Sequence, residues 1–212
     1  MARTKAHDFE AQREQILDLA AAAFAATSYP STSMADLAAA CGTSKARLYH
    51  YYESKEAILF DLLDRYTRQL MRIVADVEAE SERLGRSHRD TFGHLLRAFV
   101  AEYETSQTRH IALINDVKFL AEEQRDQILR RERDVVAAFS RLLRMAYPDR
   151  VTPENQTALT MTVFGMINWT FTWLKPGGKL SYAAFAEMVV SLLENGLAPG
   201  VPAAELQDTR PR

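Results

Sequence analysis

Ala38, Gly42 and Leu48 follow one another at intervals of four and six residues. Two short helices that cross at a tight turn need this pattern. A small residue must stand where the helices touch, a glycine where the chain bends, and an apolar residue on the second helix must pack back onto the first. Leu37 and Cys41 complete the inner face of the first helix. The boundaries are marked as well. Ser33 with Asp36 three residues on has the form of a capping box, and Gly42 suits the left-handed position after a helix. Ser44 and Ser54 have the polar side chains of N-caps, so helices are predicted over Met34–Ala40, from Ser44 on and from Lys55 on.

The rest of the chain reads as helical throughout. From Phe9 to Thr27, Ile16, Ala20, Ala23 and Phe24 recur at helical spacing, and Tyr29-Pro30 ends the run. Leu59, Leu62, Tyr66, Leu70, Ile73 and Val77 make a long amphipathic stripe that breaks at Arg83-Leu84-Gly85-Arg86. Helical patterns resume at about 88–104, 107–120, 122–147, 153–174 (with Pro153 at its first position) and 181–196, parted by SQT, Tyr147-Pro148-Asp149 and KPGGKLS. No strand alternation and no internal repeat appear. Gly and Pro number only 8 and 7 in 212 residues, which suits an all-α chain. The expected organisation is a helix-turn-helix unit over 1–54, a larger helical bundle over 55–200 that shares the fourth helix, and a Pro-rich flexible tail over 201–212, about nine helices in all.

Charge is placed, not abundant. The formal net charge of −2 excludes a coating nucleic-acid binder, yet Arg3 and Lys5, and Lys45, Arg47 and Lys55, form local basic patches. One cysteine, Cys41, excludes an intrachain disulfide and fits a reducing cytoplasm. The charged N-terminus predicts no secretory leader, and no apolar run reaches the roughly 18–20 residues that span a bilayer, so a cytoplasmic protein without membrane contact is expected.

The stretch SKARLYHYYESK then becomes interpretable. Leu48 and Tyr52 are i and i+4 and point inward together. Lys45, Ala46, Arg47, Tyr49, His50 and Tyr51 remain to face outward. Cations that donate to guanine edges or phosphates, with hydroxyls and an imidazole that donate to phosphate oxygens, suit double-stranded DNA better than water.

TSMADLAAACGTSKARLYHYYESKEAIL resembles the DNA-binding domain of the TetR family of bacterial repressors, over about residues 10–60. The resemblance assigns phosphate contacts to Thr32, Tyr49, Tyr51 and Lys55, includes Ser44 at the start of the recognition helix, and places Lys45, Ala46 and Arg47 where bases are read. Tyr52 stands where a buried Phe is usual, so its hydroxyl needs a partner or a wet edge. Arg47 stands where a small residue or Thr is common.

Beyond residue 60 the resemblance is in kind only. It implies a two-fold dimer formed through the last two long helices, a palindromic operator, and a small molecule bound in the bundle. The segment 153–174 is apolar all round (Met161, Val163, Phe164, Met166, Ile167, Phe171, Trp173), with Gly165 one turn before Trp169, so every side must be covered. Candidate ligand contacts are Phe92, Leu96, Phe99, Tyr103, Val117, Val135, Phe139 and Phe164, with His110 and Asn168 as polar groups among them; such stripes are more often plain core.

Enzymatic readings find little support. No His has a Glu three residues before it, as carboxylate-bridged di-metal bundles require. No Gly-x-Ser-x-Gly elbow or phosphate-cradling glycine loop occurs. The chain is therefore expected to need no metal or cofactor. NWTFTWLKPGGKLS resembles the end of this helix in TetR-type regulators of acyl-CoA catabolism, which makes an acyl-CoA or other hydrophobic effector the expectation. Arg125, Arg130, Arg131 and Arg133 would then face its phosphates, or else pair with Glu122, Glu123, Asp126 and Glu132 on a solvated face. The rival is a DNA-binding dimer that answers to a protein partner or to no signal.

Overall fold

The computed structural model describes residues 2–196, with side chains from His7 onward. The side chains of Arg3 and Lys5 and the tail 201–212 lie outside the described residues. The chain runs through α1 (Ala2–Thr27), α2 (Met34–Ala40), α3 (Lys45–Tyr51), α4 (Lys55–Leu84), α5 (His88–Thr105), α6 (Gln107–Asp116) and a 3₁₀ turn (Val117–Phe119). It continues through α7 (Glu122–Ala146), α8 (Gln156–Ile167), the single turn α9 (Thr170–Trp173) and α10 (Tyr182–Gly196). No strand occurs among the described residues, so the fold is all-α as expected. None of these helices is long and apolar enough to cross a membrane.

The sequence stops act as stops. Gly85 ends α4 in the left-handed region at φ 63°, and Arg86 N–H closes back onto the Ser81 carbonyl at 3.0 Å. Helix α4 is the hub. Its buried stripe packs against α1 at one end and against α5, α6 and α7 along its length. Helix α5 lies between α7 and α10, and α6 packs back onto α1. Buried apolar residues from Ile16 to Leu193 form one connected cluster, so the N-terminal unit and the bundle share a core.

Two expectations need correction. The segment 153–174 is not one helix. Pro153 lies in a turn ahead of α8, whose start is organised by Asn155, its side-chain Oδ1 accepting from the Thr152 N–H at 2.9 Å. The helix then breaks at Asn168-Trp169, where Thr170 Oγ1 donates to the Ile167 carbonyl at 2.9 Å and competes with the helical ladder. Residues 107–120 are likewise not one α-helix, since α6 tightens into the 3₁₀ turn after Asp116.

Candidate functional site

Short helices of seven residues are marginal alone, and α2 and α3 are held by their ends. Ser33 Oγ accepts from the Asp36 N–H at 3.2 Å while Asp36 Oδ2 accepts from the Ser33 N–H at 2.8 Å, a complete capping box. At the turn Gly42 has φ 59°. Its N–H donates to the Ala39 carbonyl at 3.0 Å, and Thr43 N–H donates to the Ala38 carbonyl at 2.9 Å. A Cβ at Gly42 would meet nothing within 4 Å, so the glycine is required by its φ and not by space. Ser44 caps α3 by accepting from the Arg47 N–H at 3.1 Å. Ala38 and Leu48 are both buried where α2 crosses α3.

Tyr52 finds the partner its hydroxyl needs. Its Oη donates to Asp61 Oδ2 at 2.6 Å and accepts from Arg13 Nε at 3.2 Å. Arg13 also bonds Asp61 Oδ2 at 2.7 Å, and Arg65 bonds Asp61 Oδ1 at 2.9 Å, Glu14 at 2.6 Å and also Glu10. Burial pushes the Asp61 carboxyl up, but the hydrogen bonds from Arg65 and Tyr52 outweigh it and hold Asp61 below its ordinary range. This network of α1, α3 and α4 residues fixes the end of the recognition helix against the scaffold. Arg13 and Asp61 carried no motif; only the fold brings residues 48 apart together.

With Leu48 and Tyr52 inward, Lys45, Ala46, Arg47, Tyr49 and His50 are exposed on one face of α3. Lys45 Nζ lies 5.8 Å from the Tyr49 ring centroid, so the two lie side by side on that face. Tyr51 is half-buried and stacks on Phe9 of α1 at 4.9 Å, which orients the ring. Two assigned phosphate contacts are placed otherwise. Thr32 is buried, its Oγ1 donating to the Ser28 carbonyl at 2.8 Å and lying 2.9 Å from Thr27 Oγ1. Lys55 Nζ donates to the carbonyls of Tyr29 at 2.9 Å, Thr32 at 2.8 Å and Pro30 at 3.5 Å, and sits 4.3 Å over the Tyr29 ring. An ammonium has three donors, and here they clamp the α1–α2 loop. Thr32 is thus buried away from the surface, whereas Lys55 is half-buried with its ammonium on the loop carbonyls.

Between α4, α5, α6, α7 and α8 lies a mostly apolar chamber of about 190 Å³. Tyr103, His110, Val135, Phe164 and Asn168 line it, together with Thr67, Leu70, Leu113, Ile114, Glu132, Val136 and Met161. The other expected contacts do not. Phe92, Leu96, Phe99 and Phe139 are core: Phe139 packs edge-on against Phe99 at 4.7 Å and Phe92 at 6.1 Å, and these rings fill the space behind the chamber. Val117 lies in the 3₁₀ turn past Asp116, half-buried against the core. Glu132, one of the acids that could have paired with the arginine run on a solvated face, lines the chamber instead, and burial raises its carboxyl. Arg131 pairs across helices with Asp64 of α4 at 2.5 Å, and not with the acids of its own run.

The chamber's polar groups form a chain. Tyr103 Oη donates to Asn168 Oδ1 at 3.0 Å, and its ring stacks on His110 at 4.0 Å. His110 Nε2 lies 3.2 Å from the Asn168 carbonyl oxygen, which the break after α8 frees from the helical ladder. A carbonyl only accepts, so Nε2 carries the proton. Burial lowers the His110 pKa to about 4 despite that hydrogen bond, so the ring is neutral, and Nδ1 is buried with no partner.

One further surface stands out. Met161, Trp169, Trp173 and Leu192 of α8, α9 and α10 are 53, 54, 51 and 58% exposed, with Met188 beside them. A Cβ at Gly165 would meet nothing. This is apolar surface with no cover in the single chain.

A family model described as bacterial regulatory proteins, tetR family, matches residues 16–62. One described as tetracyclin repressor-like, C-terminal domain, matches residues 85–197. The chain is 35% identical to a TetR-family transcriptional regulator from Bordetella parapertussis 12822, whose crystal structure superposes with a TM-score of 0.81 over 90% of this chain and 98% of that one. It is 24% identical to the HTH-type transcriptional repressor KstR2 of Mycolicibacterium smegmatis, over 88% of this chain and 90% of that protein. AibR, solved in complex with isovaleryl coenzyme A and operator DNA, shares the fold with a TM-score of 0.70 at 24% identity, over 85% and 97% of the two chains.

Proposed function

From the premise that the chain belongs to the tetR family of bacterial regulatory proteins, we propose that it is a dimeric repressor whose operator affinity falls when a hydrophobic acyl thioester enters the chamber. One observation carries the reading: a single helix, α6, is both a wall of the chamber and a strut on the DNA-reading unit. His110, Leu113 and Ile114 of α6 line the chamber. Arg109, next to His110, reaches Glu14 at 2.9 Å and Asp18 at 2.7 Å on α1. At the far end, Phe119 stacks at 5.3 Å on Tyr29, the loop residue that Lys55 clamps. A ligand that shifts α6 thus moves α1 and the α1–α2 loop together.

Two subunits supply what one lacks. Pairing α8, α9 and α10 across a two-fold axis covers Met161, Trp169, Trp173 and Leu192, with Gly165 allowing close approach. It also sets two copies of α3 toward successive major grooves about 34–36 Å apart, so the operator is a palindrome. Lys45, Ala46, Arg47, Tyr49, His50 and Tyr51 make the DNA contact in this reading, with Ser44 at the start of the helix. The isovaleryl coenzyme A bound in AibR supports the thioester, since that protein has the same fold. A ligand that favours the wrongly spaced state by about 3 kcal/mol weakens operator binding roughly a hundredfold.

The test is direct. Sedimentation shows a dimer at micromolar concentration, and Trp169→Glu with Trp173→Glu makes it a monomer. Protected DNA upstream of the protein's own gene identifies the operator, and fluorescence anisotropy with hexanoyl-CoA then shows its release. A monomeric wild type, or an operator complex insensitive to thioesters that bind, overturns the reading.

A further inference from the structure

A second cavity, separate from the chamber, opens between α1, α4, α5 and α6. It is a crevice of about 420 Å³ walled by four arginines, Arg65, Arg68, Arg72 and Arg109, against two carboxylates, Glu14 and Glu102. Its chemistry is the opposite of the chamber's. Three of the arginines are engaged: Arg65 with Asp61, Glu10 and Glu14, Arg68 with Asp64 at 2.9 Å, and Arg109 with Glu14 and Asp18. Arg72 is exposed and makes no ion pair among the described residues. A guanidinium carries five N–H donors, so an ion pair leaves others unused, and planar guanidiniums are the side chains that bind phosphate through paired hydrogen bonds.

An independent observation points into the same crevice. Tyr66, one of its lining residues, is 1% exposed, and its hydroxyl has no hydrogen-bond partner. Leaving a buried hydroxyl unpaired is costly, and such a group in a cavity wall is a donor waiting for an acceptor. That hydroxyl is enclosed between the two cavities, in the field of Tyr103 of the chamber and of Glu102 and Arg109 of the crevice wall. On its other side the Tyr66 ring stands edge-on to His110 at 6.1 Å, and His110 stacks on Tyr103 at 4.0 Å. His110 and Tyr103 line the chamber. One layer of rings, two of them carrying an unpaired polar atom at Tyr66 Oη and His110 Nδ1, therefore separates an apolar chamber from an arginine crevice.

We infer that the crevice is the head-group site of the effector: a phosphate-bearing amphiphile lays its short acyl chain in the chamber and its phosphates among Arg65, Arg68, Arg72 and Arg109, and binding parts the closed ring layer at Tyr66 and His110. The inference rests on the proposed thioester response and assigns to it residues other than the arginine run of α7. It also supplies the release step. Phosphates at Arg109 and Arg65 compete with Glu14 and Asp18, the carboxylates by which α6 and α4 hold α1, so head-group binding loosens the DNA-reading unit at the contact that positions it. The chamber, at about 190 Å³, is smaller than the roughly 300–1,000 Å³ of sites for drug-sized ligands, so it takes the tail alone.

Isothermal titration of the full chain with hexanoyl-CoA and with hexanoyl-N-acetylcysteamine, which keeps the thioester and lacks the phosphates, tests this. The wild type prefers hexanoyl-CoA by about tenfold or more, the worth of one or two charge-assisted hydrogen bonds. Arg68→Ala with Arg72→Ala, on an exposed helix face, abolishes the preference and leaves the affinity for the phosphate-free thioester in place. Tyr66→Phe keeps the ring packing and weakens hexanoyl-CoA alone. A preference that survives in both variants puts the head group elsewhere and overturns the inference, while the thioester response stands. Equal binding of the two ligands by the wild type does the same. If neither ligand binds a protein that binds its operator, the thioester response falls as well.

Discussion

The DNA-reading unit and the chamber treat their buried polar groups in opposite ways. Around α2 and α3 these groups are matched: Thr32 with the Ser28 carbonyl, Tyr52 with Asp61 and Arg13, and the half-buried Lys55 with the carbonyls of Tyr29 and Thr32. In and beside the chamber, Tyr66 Oη and His110 Nδ1 go without partners and Glu132 lines an otherwise mostly apolar cavity. A saturated network holds one geometry, which reading DNA demands. Unmet groups leave a region short of its best hydrogen bonding, so a ligand that supplies the missing partner gains free energy by rearranging it. The two regions touch through α6, which belongs to the second and braces the first.

The largest test of this contrast is on the recognition face. Arg47→Ala removes an exposed side chain with no role in the fold. It lowers operator affinity by about 1–3 kcal/mol per half-site, selectively at particular base pairs, as measured across a panel of operator variants. Lys55→Met separates a loop clamp from a phosphate contact at that residue. Taking the ammonium from the loop carbonyls costs about 1.5–3 kcal/mol of stability in urea titration and leaves the salt slope of operator binding unchanged. A shallower slope would restore Lys55 to the phosphate contacts.

Acid probes the other region. The folded His110 pKa is depressed to about 4 from 6.5. Its contribution to stability is whole above pH 6.5 and is lost as pH falls toward 4, since only the unfolded chain takes up the proton. Asp116 acts oppositely. Burial raises its carboxyl to about 6 from 3.8, so its contribution is present in acid and lost as pH rises through 6. Each masks the other in the wild type. His110→Phe removes one, so between pH 7 and pH 5 its stability improves relative to wild type by about 2 kcal/mol in urea titrations at each pH. The smallest effect is at Tyr66. Deleting its unpaired hydroxyl in Tyr66→Phe leaves stability unchanged or raises it by about 1 kcal/mol, whereas the same change at Tyr52, which is paired, destabilises.

What could be read along the chain was whatever depends on near neighbours. The caps at Ser33, Ser44 and Ser54, the left-handed Gly42 and Gly85, and the inward pair Leu48 and Tyr52 all act within about six residues, and each was legible because backbone geometry and helical period decide it locally. The recognition face followed by subtraction. The breaks at Pro153 and at Asn168-Trp169 were less legible, because Thr and Asn side chains compete with the helix only weakly.

Tertiary structure alone decided the rest. Lys55 reads as a phosphate contact by its place in the sequence, and only the fold shows that the α1–α2 loop lies within reach of its ammonium, with the Tyr29 and Thr32 carbonyls at 2.9 and 2.8 Å. Arg131 had Asp126 and Glu132 near it on its own helix and found Asp64 on another helix instead. Periodicity put Phe92, Phe99 and Phe139 on inner faces as well as Phe164 and Val135, yet it could not tell filled core from cavity wall. That distinction depends on where three or more helices fail to meet, and a void belongs to no single helix. The sequence by itself thus determined the DNA-reading unit and the all-helical class through contacts of short range. The chamber, the arginine crevice and the strut between them arise from side chains tens of residues apart, and only the packing of α6 and α7 onto α4, and of α6 onto α1, brings those together.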